Sequence, residues 1–290
     1  MRLAFLGTPE PSVVVLHALV DAGHDVALVV TRPDRRRGRG GSLEASPVKA
    51  AAEALGLRVT HRLDDLEGLG IELGVVVAFG ALIPASVLER TPMVNVHFSL
   101  LPRWRGAAPV ERAILAGDVE TGVSIMTLEA GLDTGPVHLE RRVEVDDKSA
   151  AALTNELAHL GADALLEVLD SPALLAGAVP QRGQPTYAQK LTAETFHVVP
   201  SMSVVEARRT VRLGRAYCFV AGRRLGVLEA LPSDVSVPTG RVVVGATGVV
   251  LGVADGSLRF ERVRPEGSRT MSAREWWAGA RLDATELWWS

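Results

Sequence analysis

Leu3-Ala4-Phe5-Leu6, then Ser12-Val13-Val14-Val15-Leu16-His17-Ala18-Leu19-Val20-Asp21-Ala22, then Val26-Ala27-Leu28-Val29-Val30-Thr31 are the pieces on which the fold turns. The first and third are short and apolar almost throughout, which marks strands covered on both faces. The middle piece has helical length and is followed by Gly23, a residue suited to a helix C-terminus. A buried strand, a helix and a second buried strand within 31 residues indicate a parallel sheet wrapped by helices. Residues 75–79 and 94–96 repeat the strand pattern, and residues 47–55 and 107–116 the helical one. Ser46 before Pro47 supplies a capping hydroxyl and then a proline at the first turn. Gly56 sits where that helix should end. Residues 122–128 and 137–145 read as two extended segments joined by a loop over 129–136, and residues 150–169 as a long Ala/Leu-rich helix.

Residues 174–186, with Pro180 and Pro185, read as a linker, and residues 204–211 as a helix. Residues 224–228, 240–244, 249–253 and 258–263 then form short Val/Leu/Gly-rich pieces at barrel-like intervals. The expected fold class is therefore α/β. A Rossmann-like parallel-sheet domain covers residues 1–190, and a small β-barrel of the oligonucleotide-binding (OB-like) type covers residues 191–290. A chain of 290 residues with 47% hydrophobic and 22% charged residues suits one large and one small domain. No apolar run is long enough to span a bilayer, and the N-terminus reads as a first strand rather than a secretory signal. The single cysteine, Cys218, excludes an internal disulfide and a multi-cysteine metal site, which fits a reducing cytoplasm. Residues 191–290 carry 13 Arg or Lys against 10 Asp or Glu, whereas the rest carry 18 against 24. That imbalance permits a polyanionic partner without requiring one.

Ligands of open parallel sheets bind beyond the carboxyl ends of the strands. There stand Asn95 and His97, two residues apart and so on one face of their strand. A carboxamide can stabilise a developing oxyanion and an imidazole can take the proton of an attacking amine. A hydrogen-bonded polar pair of purely structural use would look the same. Asp133, in Leu132-Asp133-Thr134-Gly135, is placed to orient the imidazole, although Asp before Thr-Gly is also good turn chemistry. Arg32-Pro33-Asp34-Arg35-Arg36-Arg37-Gly38-Arg39-Gly40-Gly41 is a cationic, glycine-rich loop after the second strand, able to grip phosphates. Gly7-Thr8-Pro9-Glu10 lacks the G-x-G-x-x-G pattern of a dinucleotide site. His61 and His138 are isolated, with no partner at metal-ligand spacing.

The run from Asn95 to Pro109, with residues 121–126 and 131–135, resembles the catalytic core of the 10-formyltetrahydrofolate-dependent formyltransferases, and most of all their tRNA-formylating branch. The resemblance implies that Asn95, His97 and Asp133 are the catalytic trio and that Ser99, Leu100, Leu101 and Pro102 contact the folate. It implies that the loop bearing Arg35, Arg36, Arg37 and Arg39 binds the tRNA acceptor end, with residues 7–10 as a neighbouring contact turn. The formyl donor would be 10-formyltetrahydrofolate and the acceptor the α-amine of methionyl-initiator tRNA, on a monomeric enzyme needing no metal. Residues 185–191 resemble the family's hinge. Beyond them Val198-Val199-Pro200 and residues 213–218 depart from its pattern, so an amino sugar, another small amine or hydrolysis of the donor stays open as an alternative. So does a non-catalytic folate- or tRNA-binding module. Trp276, Trp277, Trp288 and Trp289 either stack on bases or pack across a domain surface.

Overall fold

In the computed structural model, which describes residues 1–36, 41, 43–245, 248–280, 282 and 288–290, the apolar runs of the first half assemble one seven-stranded sheet. Strands β1 (Arg2–Gly7), β2 (Asp25–Val30), β3 (Val59–Thr60), β4 (Leu73–Val77) and β5 (Met93–His97) run parallel in the order β3-β2-β1-β4-β5. Two further strands, β6 (Glu120–Thr127) and β7 (Val137–Glu144), extend the sheet antiparallel beyond β5, so it is mixed rather than wholly parallel. The burial explains the division. β4 and β5 are buried at every position, whereas the edge strand β7 is only partly covered and carries Glu140, Arg141 and Arg142, charges that blunt an exposed edge.

The helices are α1 (Glu10–Asp21), α2 (Pro47–Ala54), α3 (Ala85–Leu88), α4 (Pro109–Ala116), α5 (Ala150–Asp170) and α6 (Pro172–Ala176). Ala4, Leu6, Leu28, Val30, Val76 and Met93 form one apolar cluster with Leu66, Phe79, Ile83 and Val87. On α5, Gly161 stands where a Cβ would come within 2.6 Å of Val96 Cγ1. This glycine lets the helix settle directly on the strand that bears Asn95 and His97. The stretch expected to be a linker is irregular over most of its length but tethered: the end of α6 overlaps its first three residues, and Val179 pairs with Val137 through backbone hydrogen bonds of 2.8 and 2.9 Å.

The chain divides into two compact units, residues 1–110, 119–144 and 153–190 in the first and residues 111–118, 145–152 and 191–290 in the second. The second contains α7 (Val204–Arg212) and an antiparallel sheet of order β8-β9-β12-β11-β10, formed by β8 (Tyr217–Val220), β9 (Arg223–Pro232), β10 (Val242–Gly245), β11 (Gly248–Val253) and β12 (Gly256–Pro265). Residues 288–290 join its two ends. Ala221 N–H donates to Trp288 O (3.1 Å) and Ser290 N–H to Phe219 O (2.9 Å), while Trp289 N–H donates to Gly240 O (3.0 Å). The sheet is thus curled into the barrel expected for this half, around Leu225, Val227, Val249, Leu251, Leu258, Phe260 and Val263. Strand β8 and helix α8 (Ala273–Ala280) were not evident from the sequence. The first is four residues long, and the second carries two tryptophans and a glycine, all poor helix formers beside alanine.

Candidate active site

Asn95 and His97 face the same way from β5, opposite to Val96 with its α5 contact, and they are 8% and 6% exposed. Asn95 is registered between Val76 of β4 and Met126 of β6, and His97 opposite Ser124. Among the described residues the Asn95 carboxamide has no hydrogen-bond partner, so its N–H groups are uncommitted. The chain after β5 is held by many hydrogen bonds. Ser124 Oγ donates to Ser99 O (2.7 Å) and accepts from Leu101 N–H (3.1 Å). Trp104 N–H donates to Thr186 Oγ1 (2.9 Å), Arg105 N–H to Thr186 O (2.9 Å), and Ala107 N–H to Ala188 O (2.9 Å).

This pinned loop meets His97 and Asp133. His97 Nε2 lies 3.0 Å from Trp104 O. A carbonyl only accepts, so that bond puts the hydrogen on Nε2 and leaves Nδ1 as the nitrogen that can take another proton. Nδ1 is 3.7 Å from Asp133 Oδ2, beyond hydrogen-bond length but within direct range of its charge. The carboxylate is 13% exposed and accepts from Gly106 N–H at 2.7 Å. Gly106 has φ +119, and a Cβ there would sit 2.9 Å from Ala188 O, so a side chain has no room. Strand β5 therefore brings an uncommitted carboxamide and an imidazole together, and a distant loop adds an acid. That arrangement suits attack by a nucleophile on a carbonyl-type carbon.

Residues 1–169 match the family model described as formyl transferase, and residues 191–281 the one described as formyl transferase, C-terminal domain. The chain belongs to the formyl transferase family. It is 42% identical over 299 aligned residues to a methionyl-tRNA formyltransferase of Dinoroseobacter shibae, across 98% of this chain and 99% of the relative. Among solved structures, HypX from Aquifex aeolicus in complex with tetrahydrofolic acid superposes with a TM-score of 0.69 at 18% identity over 95% of this chain, which spans 46% of that longer one. Methionyl-tRNA formyltransferase from Clostridium thermocellum superposes with a TM-score of 0.57 at 16% identity, over 81% of this chain and 94% of that one. At such identities these two structures speak for the fold alone.

The other residues singled out in this formyl transferase sequence fall in varied settings. Ser99 is fully buried, its Oγ donating to Arg103 O (2.5 Å), and Leu101 is also buried, whereas Leu100 and Pro102 are partly exposed. Arg35 and Arg36 are exposed and pair antiparallel with Glu44 and Leu43, which gives the cationic loop an ordered stem. Arg37 and Arg39 lie outside the described residues. Thr8 Oγ1 donates to Phe79 O (2.9 Å). His61 is exposed, with Nδ1 3.0 Å from Thr31 O, and the partly buried His138 lies between Thr127 Oγ1 (2.9 Å) and Leu174 O (3.1 Å). Trp276 and Trp289 are buried, and Trp289 donates Nε1–H to Gly252 O (3.0 Å), so neither presents a free ring face; Trp288 is half exposed. Among the described residues no His, Cys, Asp or Glu side chains cluster as metal ligands would, and no helix is long and apolar enough to cross a membrane. The sequence reading missed Gly106, Thr186 and Gln181. Gly106 left one usable signal, a glycine between bulky strand-end residues and a helix start; Gln181 left none.

Proposed function

We propose that this enzyme transfers the formyl group of 10-formyltetrahydrofolate to the α-amine of methionyl-initiator tRNA. The observation that carries the reading is the meeting of Asn95, His97 and Asp133 in a member of the formyl transferase family. The methionyl-tRNA formyltransferases at about 40% identity over nearly the whole chain support the acceptor, and the formyl transferase family model over residues 1–169 supports a formyl donor. The amine attacks the formyl carbon, and the Asn95 carboxamide donates to the oxyanion of the tetrahedral adduct. His97 takes the proton of the new C–N centre at Nδ1, where Asp133 meets the positive charge, and returns it to the folate nitrogen as the old C–N bond breaks. Leu100 and Pro102 are the partly exposed members of the 99–102 segment that follows β5, and so the ones whose side chains a folate would meet. The arginines at 35, 36, 37 and 39 offer charge for the tRNA backbone.

The test supplies 10-formyltetrahydrofolate with charged initiator tRNA and, in parallel, charged elongator tRNA, and follows N-formylmethionine by mass spectrometry. Product on the initiator form is expected; none at high enzyme concentration overturns the reading. Replacing the four arginines by serine should abolish tRNA formylation, and a variant that still formylates tRNA at the native rate would remove the loop from the recognition surface.

A further inference from the structure

Asp133 has φ +49, in the left-handed region that L-residues adopt uncommonly, though Asp is enriched there among them. Gln181 surrounds that conformation. Its Nε2 donates to Asp133 O and to Gly135 O, each at 2.8 Å. Its Oε1 accepts from Arg105 Nε (3.1 Å) and from a terminal guanidinium nitrogen of the same arginine (2.6 Å). Two cationic donors on one oxygen determine which way the carboxamide faces, so its nitrogen must point at the two carbonyls. Gln181 is in turn placed by the backbone pairing of Val179 with Val137 two residues earlier. The residue after Arg105 is Gly106, whose N–H holds the Asp133 carboxylate. The main chain and the side chain of Asp133 are thus fixed by two residues, Gln181 and Gly106, which Arg105 ties to each other.

We infer that Gln181 is a positioning residue for the reaction: it holds the 133–135 loop in the pose that presents the Asp133 carboxylate to His97 and locks that pose to the Arg105–Gly106 segment. The inference rests on the formyl-transfer reading above. A carboxamide is the group the task requires, because one end must accept from a guanidinium while the other donates twice. A carboxylate keeps the first contact and turns an oxygen toward two carbonyls until it is protonated.

Steady-state kinetics of the wild type, Q181A and Q181E at near-neutral pH, together with thermal melts, test this. Q181A is expected to lose about 10- to 100-fold in kcat, the scale on which small misplacements of reacting groups act, with both KM values and Tm close to wild type. Q181E, ionised near neutral pH because an ordinary glutamate titrates near about 4.3 and the Arg105 guanidinium favours its charged form, is expected to be at least as impaired, again in kcat rather than KM. An unchanged kcat in Q181A, or losses that fall on KM or that track Tm in both variants, overturns the inference. Should the wild type form no formylated product, the formyl-transfer reading fails, and a crystal structure of Q181A decides the positioning role. An Asp133 that leaves the Gly106 N–H and the left-handed region upholds it, and an unaltered loop overturns it.

Discussion

In the proposed reaction His97 and Asn95 have different tasks, and single substitutions separate them. With Nε2 tied to Trp104 O, the imidazole works through Nδ1 alone, so H97A removes the proton carrier and is expected to lower turnover by about 100-fold or more. In the mechanism proposed above, Asn95 acts only where charge develops on oxygen. N95A is therefore expected to lower kcat about 100- to 1000-fold with little change in KM, measured by rapid-quench formylation. A KM effect with normal kcat would reassign Asn95 to substrate binding. Gly106 is constrained twice over, by its φ of +119 and by Ala188 O at 2.9 Å from any Cβ. G106A should displace the N–H that holds Asp133, with activity lost alongside a lower Tm. Wild-type activity in that variant would show that the Gly106–Asp133 bond is dispensable.

At the scale of the element, two helices of the second unit begin with reciprocal caps. Ser203 Oγ accepts from Glu206 N–H (3.1 Å) while the Glu206 carboxylate accepts from Ser203 N–H (2.8 Å), and Ser272 with Glu275 repeats the arrangement. The bonds from the backbone N–H and then the hydroxyl of each serine hold both carboxyls below the usual carboxylate range of about 4.5. A carboxyl whose folded pKa is depressed stabilises the fold above its unfolded pKa, and that contribution disappears as pH falls through the folded value. E206A and E275A should accordingly melt below wild type at neutral pH, with the gap narrowing in acid. A gap independent of pH between about 7 and 3 would mean that the charge on these carboxylates contributes nothing. The Ser46 cap on α2 was legible from Ser46-Pro47; the reciprocal caps needed the helix starts to be known first.

For the molecule as a whole, the second unit depends on its last residues. Trp289 is 2% exposed and bridges Val220 of β8, next to Cys218, which is wholly buried and whose thiol burial pushes well up. Removing a large buried aromatic costs about 3–5 kcal/mol, so W289A should lower the unfolding free energy of this unit, measured by urea titration, by an amount of that order. It should also open Cys218 to thiol reagents that leave the wild type unmodified under native conditions. Equal labelling rates in the two proteins would show that the terminal residues do not close the barrel.

Sequence alone was enough to determine that a helix-wrapped sheet precedes a small β unit, because strands buried on both faces must be apolar at nearly every position. For the same reason Asn95 and His97 stood out: polar side chains at the end of such a strand interrupt a pattern that the core otherwise enforces. The reading of residues 174–186 as a linker missed its tether to Val137, because prolines and small residues describe a surface path equally well whether or not it is tethered. Tertiary structure alone decided the antiparallel edge of the sheet, the closure of the barrel by Trp289, and the convergence of Gly106 and Gln181 on Asp133. These depend on contacts between residues tens of positions apart, and a single carboxamide or glycine in a loop carries no local periodicity from which such a contact can be read.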